Sequence, residues 1–249
     1  MEKNFLNILK LNNFYSWRKF KNLVYYLVVI KRIKKMLSVN NVYLKYTKEY
    51  NTLNNINLKI DDNEHVVLFG EKESGKSSLI RVIAGLEKVT SGEVLIKNID
   101  IKKINLKTDV SIGYISTYGA FLEKKTVEQN LAYVLKIRKY DKDVISSKVN
   151  GVMLSYGLEG LKDRKLKDLS DFDRMRVAIA RLNLRKIEFL ICDDIFESFA
   201  ESDALKLTKM VKNLIEENDC ASIVAVSNEK IAKQFEGKVV RLKFGSIVD

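Results

Sequence analysis

Proline is absent from this sequence, histidine and tryptophan occur once each, and there are only two cysteines. Two thiols, Cys192 and Cys220, cannot form a disulfide framework. They read as small apolar side chains of a cytosolic protein. The missing proline accompanies an abundance of Asn, Lys and Ile, a coding bias that carries no structural message. No stretch approaches the roughly 18 apolar residues of a membrane span. The longest uncharged apolar run, Leu23–Ile30, is bracketed by Lys21 and Lys31. As a signal peptide it lacks a small-residue cleavage site, because Lys-Arg-Ile-Lys-Lys follows it.

What is present begins with a core. Hydrophobic residues make up 46% of the 249, enough to exclude wholesale disorder. The net charge of +12 is unevenly placed: residues 1–37 hold nine Lys or Arg against one Glu. The body is only mildly basic, so no nucleic-acid groove is expected. The basic arm interleaves Phe5, Phe14, Tyr15, Trp17, Phe20, Tyr25 and Tyr26 with its cations. An interfacial helix in contact with anionic lipid has this composition. A helix packed on a partner subunit, a disordered arm, or a stretch preceding a start at Met36 fit it as well.

From Ser38 the pattern changes. Val39, Val42, Leu44 and Tyr46 predict a strand, and Leu53, Ile56, Leu58 and Ile60 a second with alternating faces. Asp61-Asp62-Asn63 predicts a turn, and His65–Phe69 a short apolar strand. Gly70–Ser77 is a glycine-bounded loop before a helix over Ser77–Leu86. Further strands are expected at Glu93–Ile96 and Val110–Ile115. Residues 126–184 read as three helices, the last spanning Leu169–Leu184. The strand Ile187–Cys192 follows, then a helix over 201–217, a strand Ala221–Val226, a helix over 229–235, and terminal strands at 238–243 and 246–248. Alternating strands and helices predict an α/β fold with a largely parallel central sheet and an inserted helical subdomain.

Gly70-Glu-Lys-Glu-Ser-Gly75-Lys76-Ser77 fits G-x-x-x-x-G-K-[ST] in full. Its glycines let backbone N–H groups turn inward on a phosphate, and the following helix adds its positive end. Lys76 can reach the β and γ phosphates, and the Ser77 hydroxyl can ligate Mg²⁺. A chance match is expected in about 1% of chains this long, and the flanking strand and helix lower that further. An acidic partner is supplied by Phe189-Leu190-Ile191-Cys192-Asp193-Asp194. Two carboxylates emerge at the C-terminal end of a buried strand, where α/β sheets bind ligands. Asp193 would hold the water shell of Mg²⁺, and Asp194 would face the attacking water.

In order and spacing these motifs resemble the ATP-binding domains of ATP-binding-cassette (ABC) transporters, over residues 38–249. Val42-Tyr-Leu-Lys-Tyr46 resembles the first strand with its adenine-stacking aromatic, Tyr46 or alternatively Tyr50. Ser91-Gly92-Glu93, Ile112-Gly113-Tyr114, Thr126-Val127 with Asn130-Leu131, and Leu169-Ser170 with Arg176–Arg181 match later family segments. The resemblance implies a P-loop core, an N-terminal antiparallel β subdomain and a helical subdomain over about 118–184. It implies ATP and Mg²⁺ as cofactors. Nucleotide would be bound by Tyr46, Gly70, Ser74, Gly75, Lys76, Ser77 and Ser78, and metal by Ser77 and Asp193. Lys76 and Asp194 would be the catalytic pair.

Several family positions depart from the pattern. The Q-loop glutamine falls on Thr117, which is too short for the same reach. The signature L-S-G-G-Q becomes Leu169-Ser170-Asp171-Phe172-Asp173, adding bulk and negative charge where glycines normally approach a polyphosphate. The catalytic Glu becomes Asp194, a weak substitute base one methylene shorter. The D-loop aspartate falls on Ala200 and the switch histidine on Asn228. The only histidine, His65, enters the strand before the P-loop and reads as structural. The implied function is an ATP-binding subunit, peripheral at the cytoplasmic face of the membrane, serving a separate permease with weakened hydrolysis. Its partner cassette is expected to differ from it, a heterodimer being favoured over a homodimer. The alternative is a non-hydrolysing nucleotide-binding module for regulation or assembly.

Overall fold

The computed structural model describes residues 35–47, 50–105, 109–117, 119 and 121–248. The arm over 1–37, and the lipid contact expected of it, lies outside them except for Lys35–Leu37. In chain order the first elements are β1 (Lys35–Leu44), β2 (Leu53–Asp61), β3 (His65–Phe69), α1 (Lys76–Ile83), β4 (Ser91–Ile96), β5 (Ile99–Asp100) and β6 (Ile112–Ser116). Then come α2 (Val127–Lys136), α3 (Lys142–Ser155), α4 (Asp171–Asn183) and β7 (Phe189–Asp193). The chain closes with α5 (Glu201–Asn218), β8 (Ala221–Val226), α6 (Glu229–Ala232), β9 (Lys238–Lys243) and β10 (Ser246–Val248).

The N-terminal sheet is antiparallel, in the order β2-β1-β4-β5. Period-two alternation places Ile56, Leu58 and Ile60 on its buried face, and an irregularity at Asn55, φ 47°, shifts the phase so that Leu53 is buried as well. In β1 the alternation breaks at a bulge, where pairing slips between Val39 and Val42 and Asn41 adopts φ 48°. Gly92 must be glycine here: a Cβ would lie 2.3 Å from the Asn41 carbonyl oxygen. The Ser91-Gly92-Glu93 segment therefore opens β4 itself, and the strand begins earlier than the sequence pattern suggested.

The central sheet has the order β10-β9-β3-β8-β7-β6, and its β9, β3, β8, β7 and β6 run parallel. Only β10 is antiparallel to its neighbour β9. Parallel strands are covered on both faces, which explains the unbroken apolar runs of β7 and β8. One face, with Val66, Leu68, Phe189, Ile191 and Ile223, packs on α1 and the antiparallel sheet. The other, with Val67, Leu190, Cys192 and Val224, packs on the helices. Each such side chain moved out of water contributes about 1.5–3 kcal/mol. Both thiols are buried within this packing, and burial pushes both upward, Cys220 to about 11. They are the apolar side chains expected.

The helical segment packs Val127, Leu131 and Leu135 against Ile145, Val149 and Met153 of α3 and Met175 and Ile179 of α4. Its entry is set by Thr126, which caps α2 in a reciprocal box with Gln129. Asn130, fully buried, sews down the preceding loop. It accepts from Leu122 N and donates to the carbonyls of Leu122, Lys125 and Thr126. Arg176 on α4 donates to the Tyr156 and Gly157 carbonyls, fastening α3 to α4.

Candidate nucleotide and metal site

β3, β7 and β8 all end at the same edge of the central sheet, and every expected phosphate or metal residue of the loop and β7 collects there. Backbone turns at that edge are local in origin. Gly70 cannot carry a side chain, because a Cβ would stand 2.5 Å from Leu242 O and 2.6 Å from Ser74 Oγ. Gly75, at φ 101°, sits in the left-handed region and starts α1 without any side-chain cap. The first N–H groups of a helix have no partners within it, so those of α1 face outward as donors for an anion.

Lys76 folds back over the loop with only 4% of its surface exposed. Its Nζ donates to Gly70 O at 2.7 Å, Glu71 O at 2.9 Å and Ser227 Oγ at 2.8 Å. An ammonium has three protons to donate, and all three are placed. Asp194 Oδ2 lies 3.6 Å from the same nitrogen and accepts from Ser227 Oγ at 3.0 Å. Asp194 itself has φ 49°, an uncommon conformation for a non-glycine residue. Burial pushes its carboxyl above the usual range, against the opposing pull of Lys76.

Asp193 ends β7. Its Oδ2 accepts from the Tyr114 hydroxyl at 3.2 Å, while its Oδ1 is buried without a partner. Ser74 Oγ and Asp194 Oδ1 are likewise buried and unpartnered. Buried polar atoms are normally satisfied, so three orphaned oxygens in one site point to an absent occupant. The donor set fits a polyphosphate with a divalent cation: inward amides and an ammonium for the phosphates, the Ser77 hydroxyl and Asp193 Oδ1 for the metal. Among the described residues no cluster of three or more metal-ligating side chains exists. A Mg²⁺ ion completing its shell with phosphate and water oxygens needs none.

The remaining expected residues divide. Tyr46 extends its hydroxyl to 3.4 Å from Ser78 Oγ and Glu87 Oε2, and the residue is 54% exposed. Tyr50 is exposed as well. Thr117 Oγ1 lies 3.4 Å from the Asp194 carbonyl oxygen. Asn228 spends its side-chain oxygen on capping α6, accepting from Lys230 N and Ile231 N. His65 Nδ1 lies 3.2 Å from Ser222 Oγ on the adjoining strand, in keeping with a structural role.

At the head of α4, Asp173 is neutralised by Arg176 at 2.6 Å and held by the Ser170 hydroxyl at 2.8 Å. Phe172 packs edge-on against Phe199, with Arg176 and Lys206 over its ring. Sequence reasoning placed this aromatic and both aspartates against a polyphosphate. Within this chain Arg176 compensates Asp173 and the Phe172 ring packs on Phe199. Sequence reasoning also passed over Ser227 and Glu197, which accepts from Ser227 N at 3.1 Å. Ser227 ends a buried parallel strand, the position where such sheets bind ligands, and that signal could have found it.

This fold and this site define a P-loop nucleotide-binding protein. The family model described as ABC transporter matches residues 53–197, more than half of the chain. The chain belongs to the ABC transporter family, whose members bind Mg-ATP. Among its relatives is the sulfate/thiosulfate import ATP-binding protein CysA of Synechocystis, 29% identical over 209 residues, covering 84% of this chain and 58% of that one. The methionine import ATP-binding protein MetN of Clostridioides difficile is 28% identical over 218 residues, covering 86% and 68%. The chain thus spans well under three quarters of the length of either. The dimeric structure of MJ0796, a bacterial ABC transporter cassette, superposes with a TM-score of 0.75 at 25% identity, covering 86% of this chain and 97% of that one.

Proposed function

We propose that this chain is the ATP-binding subunit of an ABC transporter, peripheral to the cytoplasmic face of the membrane and working with a separate permease. The reading is carried by Lys76 meeting Asp194 beside Asp193 at one sheet edge, where oxygens of Ser74, Asp193 and Asp194 are buried without partners and Ser77 lies in the adjoining first turn of α1. Gly70, Ser74, Gly75 and the first turn of α1 through Ser78 embrace the phosphates. Tyr46 offers its exposed ring to the base. Bound Mg²⁺ would offset the nucleotide's charge beside the two aspartates. The cassette runs from Lys35, where β1 begins, through 249, with about 118–184 its helical subdomain, so the arm available for lipid is the stretch before β1 rather than the whole of 1–37. Both named relatives are import proteins, which favours import, while their different cargoes leave selectivity to the permease.

Hydrolysis is proposed to be slow. Asp194 is short for a general base, and its Oδ2 is already engaged by Lys76 and Ser227. Thr117, Ala200 and Asn228 replace longer or titratable groups. The Phe172 side chain occupies the head of α4, which favours a second, different cassette over a second copy of this chain. The reading of a non-hydrolysing module rests on the same residues, above all Asn228, whose side-chain oxygen is taken up by the α6 cap. Mg-ATP binding by the purified chain, phosphate release with its partner, and co-purification from membranes test these readings. Turnover abolished by Lys76→Ala, with a polytopic partner recovered, supports the transporter subunit. Tight binding without turnover supports the module, and no nucleotide binding overturns both.

A further inference from the structure

Asp193 is proposed above as the metal-binding carboxylate, and the inference here rests on that reading. A carboxylate's two oxygens are chemically equal, and its last torsion is broad and two-fold. Something must decide which oxygen a cation meets. On β6, Tyr114 pairs with Ile191 while Ser116 pairs with Asp193. Residues two apart on a strand share a face, so the Tyr114 and Asp193 side chains rise on one side of the sheet. A tyrosine is long enough to reach this diagonal neighbour, and its hydroxyl meets Oδ2 at 3.2 Å. A carboxylate accepts only, so the phenol is the donor. The other oxygen, Oδ1, is buried and has no partner.

We propose that Tyr114 is a positioning residue for the metal site: its hydroxyl holds Asp193 Oδ2 and thereby presents Oδ1 to a divalent cation. Partners of this kind orient metal-binding carboxylates elsewhere, and their removal costs about 10- to 100-fold in metal affinity. The Tyr114 ring is only half-buried and packs at the margin of the core. Tyr114→Phe therefore removes one oxygen and leaves the ring's packing in place.

The test is the gain in nucleotide affinity that metal confers. The full chain and Tyr114→Phe are titrated with mant-ATP in EDTA and again in saturating Mn²⁺. The expected result is an unchanged affinity in EDTA, an unchanged melting temperature, and a Mn²⁺-dependent gain about 10-fold smaller in the variant. An equal gain in both proteins overturns the role of Tyr114. Asp193→Asn separates the levels: if it too retains the full gain, the assignment of Asp193 fails, and Tyr114 has no metal site to position. If the wild-type chain shows no Mn²⁺-dependent gain at all, the metal-site reading falls together with this one.

Discussion

Lys76 and Asp194 lie 3.6 Å apart across the mouth of the phosphate loop, with Ser227 bridging them. The ammonium is fully occupied by protein acceptors, and the carboxylate is held close to it by charge and by the serine hydroxyl. A polyphosphate entering this seat must compete for the ammonium while meeting the negative charge of Asp194.

Lys76→Ala removes the only buried cation of the loop. Truncating one member of a buried, hydrogen-bonded charge pair costs about 2–5 kcal/mol, or about 30-fold or more in affinity. Equilibrium dialysis with Mg-ATP measures it. Retention of wild-type affinity would remove the loop from the nucleotide site.

Asp194→Asn keeps the hydrogen bond from Ser227 but deletes a negative charge beside the phosphates. Mg-ATP should bind several-fold more tightly while any phosphate release stops. Asp194→Glu restores the missing methylene, about 1.5 Å of reach, and should raise phosphate release in the presence of the partner cassette. A Glu variant slower than wild type would show that reach is not what limits turnover.

Asn130→Ala removes the acceptor of Leu122 N and the two amide protons shared among the carbonyls of Leu122, Lys125 and Thr126. Loss of about 1–3 kcal/mol is expected, chiefly from the Leu122 N–H left without its acceptor, since the three carbonyls keep backbone donors. Urea midpoints with an unchanged m-value check this. A loss under 0.5 kcal/mol (about the surface-substitution scale) would mean that water or slack in the loop replaces the asparagine.

Glu188 joins the two sheets, accepting from Lys97 and from the Ser111 amide. Burial pushes its carboxyl upward, but the Lys97 and Ser111 hydrogen bonds outweigh burial and hold it below the usual range. Its stabilising contribution is therefore full above the unfolded value of 4.5 and is lost as pH falls through the lower folded value. Because the pair is partly exposed, Glu188→Gln should cost about 0.5–1 kcal/mol at pH 7. The stability curves of variant and wild type should converge in acid. A gap that persists below about pH 3 would show that the loss is not ionic.

The phosphate loop was legible because its eight residues close on themselves through local backbone angles and one helix start. The helices and β2 were legible because period 3.6 and period two follow from burial of one face, and the parallel strands β3, β7 and β8 because burial on both faces makes them short unbroken apolar runs. Element ends were less so. β4 starts at Ser91 and α1 at Lys76 because a bulge opposite Gly92 and a left-handed Gly75 set those limits. The departures at Thr117, Asp194 and Asn228 could be read by position, but not what each side chain would touch instead. The acidic signature was read as bulk and negative charge facing a polyphosphate, and nothing in its spacing announces that Arg176 pairs with Asp173 or that Phe172 packs on Phe199.

By itself the sequence determined that this protein grips phosphate, because the chemistry lies in one contiguous segment whose dihedral preferences are local. Only the tertiary structure decided which distant side chains attend that segment. Ser227 reaches Lys76 across 151 residues, and Tyr114 reaches Asp193 across 79. Those meetings depend on strand order and register, which are selected by burial of the whole core rather than by any short pattern.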